Sequence, residues 1–252
     1  MADTDSNYVA TQQYNDERRY GQGNSGLSDE DASDIICVLY PMTINANRAA
    51  DQIYKATPQN TLETRSDIHI KEKVTSAEPA VNTFEIAAEG LVPCGIALRL
   101  SANLKDPLMG FQFGRNADRC DFPVGSNDPG RRVSNTHFRI YINEHCVIMI
   151  EDQSTNGTMI DRTLLKAKEK ENNMAFKHTL DSGQKIVITG GTAKDDLAFM
   201  TWIPNRSDEA ELAYQQNVTK FFLRKAALRD QPRTKALMRP GRNGNPVIYA
   251  CP

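Results

Sequence analysis

Between Cys94 and Ile203 the chain is a succession of short apolar runs cut by turns, with almost no helical signal. Ile96-Ala97-Leu98-Arg99-Leu100, Phe111-Gln112-Phe113 and Phe138-Arg139-Ile140-Tyr141-Ile142 alternate with a period of two, the mark of strands buried on one face. Val147–Ile150 is nearly continuous, as a central strand is. Cys120–Val124, Met159-Ile160, Lys185–Ile188 and Leu197–Ile203, which holds the only Trp (Trp202), complete the set. Such strands bury their apolar faces by packing sheet on sheet. The spacing predicts an all-β sandwich of two antiparallel sheets.

Loops at one end of a sandwich are held in place by the packed sheets and form its natural binding surface. Three of them carry a shared chemistry. Gly114-Arg115 closes one strand, Ser134-Asn135-Thr136-His137 leads into another, and Ser154-Thr155-Asn156-Gly157-Thr158 follows the central run. Arg115, Arg131 and Arg132 supply positive charge; Ser134, Asn135, Thr155 and Asn156 supply hydroxyl and amide groups. That mixture suits a phosphate dianion, because Arg offers a forked, permanently charged donor and the neutral groups complete the shell. A phosphothreonine, with a charge of about −1.5 to −2 and three strong acceptor oxygens, is such a target. Gly157 allows the positive φ that the Asn-Gly turn needs. Singly, each piece is ordinary: exposed arginines usually serve solubility, and Asn-Gly-Thr is a common hairpin turn. Order and spacing carry the reading.

In that order and spacing, from about Pro93 to Pro204, the chain resembles the forkhead-associated (FHA) domain. The resemblance implies an FHA-like sandwich that binds phosphothreonine peptides. It assigns phosphate contact to Arg115 and Ser134, and contact with phosphate or peptide backbone to Asn135 and Thr155. Asn156 would hold the peptide main chain. Arg132 would lie near the ligand's +3 side chain and favour an acid there. Gly114, His137 and Gly157 take structural roles, His137 bracing the loops. The family's preference for phosphothreonine over phosphoserine comes from a pocket for one methyl group, worth about 1–3 kcal/mol. Three features depart from the family pattern: no glycine follows Ile160, Lys166–Thr179 is long and reads as an exposed loop, and Gln184 stands where Asp is frequent.

Outside this region, Asp34–Tyr40 reads as a strand ended by Pro41, Asn45–Ala56 as a helix stopped at Thr57-Pro58, and Asn82–Ala87 as a further strand. From Ser207 the pattern turns helical to about Arg229, with Tyr214, Val218, Phe221 and Leu228 on one face. The predicted organisation is an acidic disordered arm over 1–34, an N-terminal extension over 35–92, the FHA domain over 93–206, and a short helix with a basic disordered tail over 207–252. Residues 1–34 carry eight acids against two arginines, and 219–252 eight bases against one acid. The Asp34–Met42 run ahead of the FHA region is similar to fungal FHA-containing Ser/Thr kinases of checkpoint type. That implies a second possibility, a regulatory part of such a kinase.

A net charge of −2 argues against a dedicated nucleic-acid binder. No apolar run approaches the roughly 20 residues a membrane span needs, so no membrane partner is expected. Five widely spaced cysteines without Cys-x-x-Cys or a secretory signal point to a nuclear or cytoplasmic location. Gly21–Gly26 spells G-x-G-x-x-G but lacks the flanking strand and helix of a phosphate loop. The histidines show no metal-ligand spacing with the cysteines, and no hydrolase elbow or kinase catalytic motif occurs. The expectation is therefore a non-enzymatic adaptor with no metal or cofactor, whose partners are phosphothreonine proteins. Thr64-Arg65-Ser66-Asp67 offers one self-partner: phosphorylated Thr64 with an acid at +3.

Overall fold

In the computed structural model the described residues are 27–63, 90–92, 94–125, 132–167, 175–188 and 196–229. They begin with helix α1 (Asp29–Asp34), strand β1 (Ile35–Pro41) and helix α2 (Ile44–Ala56). Strands β2 (Thr61–Glu63), β3 (Cys94–Arg99), β4 (Phe111–Gly114), β5 (Phe122–Pro123), β6 (Phe138–Ile142) and β7 (Ile148–Asp152) follow. Then come β8 (Thr158–Ile160), β9 (Thr163–Leu165), β10 (Lys177–Thr179), β11 (Lys185–Ile188), β12 (Leu197–Trp202) and helix α3 (Asp208–Arg229).

The strands form the two sheets that the alternation predicts. One has the order β2-β3-β1-β12-β11-β8-β9, the other β10-β7-β6-β4-β5. Every pairing is antiparallel except β4 with β5, which run parallel. The alternating positions of the smaller sheet put Phe111, Phe113, Phe138, Ile140 and Ile150 into the core. Phe113 is the centre of that layer, stacked 4.8 Å from Phe122 and 4.7 Å from Phe138. Ile96, Leu98, Ile160, Ile186 and Phe199 come from the larger sheet.

β1 lies inside the larger sheet, paired with β3 on one side and β12 on the other. A boundary at residue 92 therefore falls between strands of one sheet, and residues 35–41 belong to the sandwich rather than to an extension. The β1–β3 register shifts between Ile35 and Cys37. This bulge lets Ile36, Cys37 and Leu39 reach the main core, while Ile35, Val38 and Tyr40 pack with Ala97 and Trp202 on the other face. α2 is helical because Ala46, Ala49, Ala50 and Ile53 recur on one face, which is buried in the same core. Thr43 caps it, its Oγ1 accepting the Ala46 N–H at 3.3 Å.

Three expectations need revision. Residues 29–34, placed in a disordered arm, form α1, capped by Ser28. Lys177–Thr179, placed in a loop, is an edge strand on β7. Leu228 lies on the same side of α3 as Ala210 and Phe221, as the spacing predicts, but in the last turn of the helix it is exposed. α3 itself is 22 residues long rather than short. Its Phe221 stacks 6.5 Å from Phe111, and Arg224 reaches the Leu100 carbonyl. Arg206, just before α3, ties it to the start of the chain. It donates from Nε to Ala32 O at 2.8 Å and from Nη2 to Ile35 O at 2.7 Å, its guanidinium lying over the Tyr214 ring. Residues 1–26, Asn82–Ala87 and the tail beyond Arg229 lie outside the described residues.

Candidate phosphopeptide-binding site

The loops after β4, before β6 and after β7 meet at one end of the smaller sheet. β4 ends at Gly114 because the next loop crosses it there: a Cβ on Gly114 would lie 2.4 Å from Asn135 O. The two segments are stitched by the backbone, with Arg115 N–H donating to Ser134 O at 3.0 Å and Asn116 N–H to Asn135 O at 3.2 Å. Arg115 then leans over this loop, its Nε donating to Asn135 Oδ1 at 3.2 Å.

His137 fixes the second loop to the third. The Ser134 N–H donates to Nδ1 at 3.0 Å, and a backbone N–H can only donate. The ring proton therefore sits on Nε2, which donates to Gly157 O at 3.2 Å. Burial holds the imidazole pKa below its ordinary value despite the opposing charge of Asp152. The residue is a neutral bracket.

Asp152 performs the matching task at the end of β7. Its Oδ1 accepts from the hydroxyls of Ser154 and Thr158, each at 2.7 Å. Oδ2 accepts from the N–H groups of Ala167 at 2.8 Å and Ser154 at 3.3 Å. Ser154 Oγ in turn accepts the Gly157 N–H at 2.7 Å. Gly157 has φ +95, and an added Cβ would lie 2.8 Å from Leu165 O. The Asn-Gly turn is held from beneath on every side.

Five expected contact residues come together on this frame. Ser134 Oγ accepts the Thr155 N–H at 3.1 Å, which joins the second and third loops and leaves its proton to donate. Asn156 donates from Nδ2 to Arg132 O at 2.9 Å. Asn135, Thr155 and Asn156 are exposed, and Arg115 and Ser134 half-exposed. Among the described residues, the Nη groups of Arg115, the Asn135 amide nitrogen and the Thr155 hydroxyl have no partner. The result is a compact patch of unmatched donors. Arg132 is half-buried beside it, its backbone carbonyl engaged by Asn156. Arg131 lies outside the described residues.

The motif does not reveal two of the supports. Asp152 is legible only as an acid ending an apolar strand two residues before a serine. Cys120 gave no signal: its thiol donates to Asn135 O at 3.1 Å, and burial pushes its pKa to about 11, so it stays protonated in that role. The departures from the family pattern are accommodated. Asp161 takes the left-handed turn position at φ +52 and is held by Lys185 N–H to Oδ1 at 2.9 Å. Gln184 Oε1 accepts the Asp181 N–H at 2.9 Å, closing its own turn.

A family model for the FHA domain matches residues 111–188, the span that holds all three loops. The chain contains an FHA domain. The serine/threonine-protein kinase RAD53 of Saccharomyces cerevisiae is 31% identical over 105 residues, covering 42% of this chain and 11% of that protein. This chain thus spans about a tenth of the length of that relative. Among solved structures, the N-terminal FHA domain of S. cerevisiae Rad53p in complex with a phosphothreonine peptide is 18% identical, covering 68% of this chain and 95% of that one, with a TM-score of 0.34. Rad53 1-466 in complex with AMP-PNP is 27% identical over 42% of this chain and 24% of that one, with a TM-score of 0.31. The FHA domain is a binding module, not a catalytic one. Among the described residues no group of side chains could hold a metal ion, and no helix is long and apolar enough to cross a membrane. Among the described residues, Cys37, Cys94, Cys120 and Cys146 form no disulfide.

Proposed function

We propose that this chain binds phosphothreonine peptides through Arg115, Ser134, Asn135, Thr155 and Asn156 and acts as a signalling adaptor or regulatory module in the nucleus or cytoplasm. The observation that carries this is the donor patch. A guanidinium with open Nη groups, two hydroxyls and an amide nitrogen face solvent together, while Asn135 Oδ1, Ser134 Oγ and Gly157 O are already engaged. Such a patch is unmatched until a group rich in acceptors and negative charge docks on it. In this reading Asn156 holds the peptide main chain and Arg132 favours an acid at +3.

Isothermal titration with paired peptides tests this. A phosphothreonine peptide binds and its unphosphorylated twin does not; equal binding of the two would sink the proposal. The phosphoserine version binds more weakly by about tenfold or more, since one methyl in a pocket is worth about 1–3 kcal/mol. Self-recognition is one form of this function, with phosphorylated Thr64 of one copy held by Arg115 and Arg132 of another. Thr64 lies outside the described residues, and a chain phosphorylated there that sediments as a monomer excludes it.

The similarity to RAD53 supports a second reading, in which these residues are the regulatory portion of an FHA-containing Ser/Thr kinase. The genomic sequence downstream of the Pro252 codon decides it: an open frame encoding kinase motifs supports this reading, and their absence removes it.

A further inference from the structure

The outer side of α3 carries a second apolar row that the sandwich does not use. Leu212 and Leu223 are 60% and 65% exposed, while Ala210, Val218 and Phe221 fill the inward side. Eleven residues separate the two leucines, which is three turns, so they lie on one line of the helix. Gln216, Thr219 and Ala226, all exposed, continue that line at steps of four and three, the spacing of a helix-pairing seam. The helix is also polarised along its length. Asp208 and Glu209 stand in its first turn, Lys220 and Arg229 toward its end, and none of the four has an ion-pair partner among the described residues.

We propose that α3 pairs with α3 of a second copy of this chain, antiparallel, about a twofold axis between Gln216 and Thr219. In that register Leu212 of each copy meets Leu223 of the other, Gln216 meets Thr219, and Asp208 flanks Arg229. The charge pattern selects this arrangement, since a parallel pair would bring acid to acid and base to base. It also disfavours the chain beyond Arg229 as occupant: Arg233, Lys235, Arg239 and Arg242 would meet the Lys220–Arg229 half. α3 packs at the Phe111 end of β4 and the donor patch lies at the Gly114 end, so pairing covers neither patch. A pair would present two patches at once and gain avidity for doubly phosphorylated targets. That consequence rests on the function proposed above; the pairing does not.

Sedimentation equilibrium of the full chain over a concentration series tests it. The mass rises toward that of a dimer, and Leu212→Asp or Leu223→Asp raises the dissociation constant by more than about tenfold with an unchanged melting temperature. Asp208→Arg weakens association by about tenfold, and Asp208→Arg with Arg229→Asp restores it. A chain that is monomeric throughout, or association untouched by these changes, overturns the proposal. Association appearing only after removal of residues 230–252 also overturns it, by making that segment the occupant. Monomeric Leu212→Asp should bind phosphopeptide as the parent does, so the two proposals fail separately.

Discussion

The Ser134 hydroxyl oxygen accepts the Thr155 N–H at 3.1 Å, so a residue placed to donate to an anion also ties two loops together. Ser134→Ala removes both functions. Phosphopeptide affinity should fall by about tenfold to a hundredfold, as for one charge-assisted hydrogen bond plus lost loop position. The Thr155 amide should exchange its hydrogen faster in the free protein. An affinity loss without faster exchange would place the whole effect at the phosphate.

Arg115 tests the charge itself. Arg115→Ala should lower affinity by about a hundredfold, and Arg115→Lys should recover only part, because an ammonium keeps the charge but loses the fork and the Nε bond to Asn135. Full recovery by lysine, read by titration calorimetry, would mean that geometry matters little there.

Gly114→Ala should disturb the site from below. The new methyl has Asn135 O 2.4 Å away, a backbone atom that cannot step aside without moving the loop. A stability loss of about 1–3 kcal/mol is expected, with weakened peptide binding. Urea unfolding and titration on the same sample check both.

His137 makes stability depend on pH. Its folded pKa lies below the unfolded value of 6.5 because burial penalises the imidazolium. The unfolded chain therefore binds the proton first as pH falls. The stabilisation is complete above pH 6.5 and is lost as pH drops from there through the folded pKa. Unfolding free energies measured at intervals from pH 8 to 5 should decline, and His137→Phe should remove that part of the slope. Comparing the two chains cancels Asp121, whose raised carboxyl pKa acts with the opposite sign.

Asp152→Ala would orphan four donors at once: the hydroxyls of Ser154 and Thr158 and the N–H groups of Ser154 and Ala167. The cost should be about 3–5 kcal/mol, with Asp152→Asn milder because one acceptor oxygen remains. Equal losses for the two variants in urea unfolding would argue that packing, not hydrogen bonding, dominates.

Long alternating strands such as Phe138–Ile142 were legible because a period of two with one buried face leaves little choice. β2, β9 and β10 were not. Each has three residues at a sheet edge, where one side lacks a neighbour and the apolar pattern has no length to show itself. The place of β1 was hidden for another reason: a run buried on both faces looks the same wherever it is inserted. At the site, the residues facing solvent could be found by spacing. Cys120 and Asp152 could not, since their roles depend on what the fold sets against them. Leu228 keeps the spacing of the inward face yet is exposed, because a face pattern does not show that the last turn of the helix lies outside the core.

The pairing of Leu39 with Thr201 has a consequence for how the protein is made. On a ribosome, the Ile35–Pro41 segment emerges early and can pair with Cys94–Arg99, but it finds its second neighbour only after the polypeptide has grown through Trp202. Until then one edge of an apolar ribbon waits unpaired, and no subset of earlier residues can complete the larger sheet around it. Assembly is therefore a late event governed by a long-range encounter, slow by the standard of local folds, and the nascent chain depends on whatever shields that ribbon in the interval.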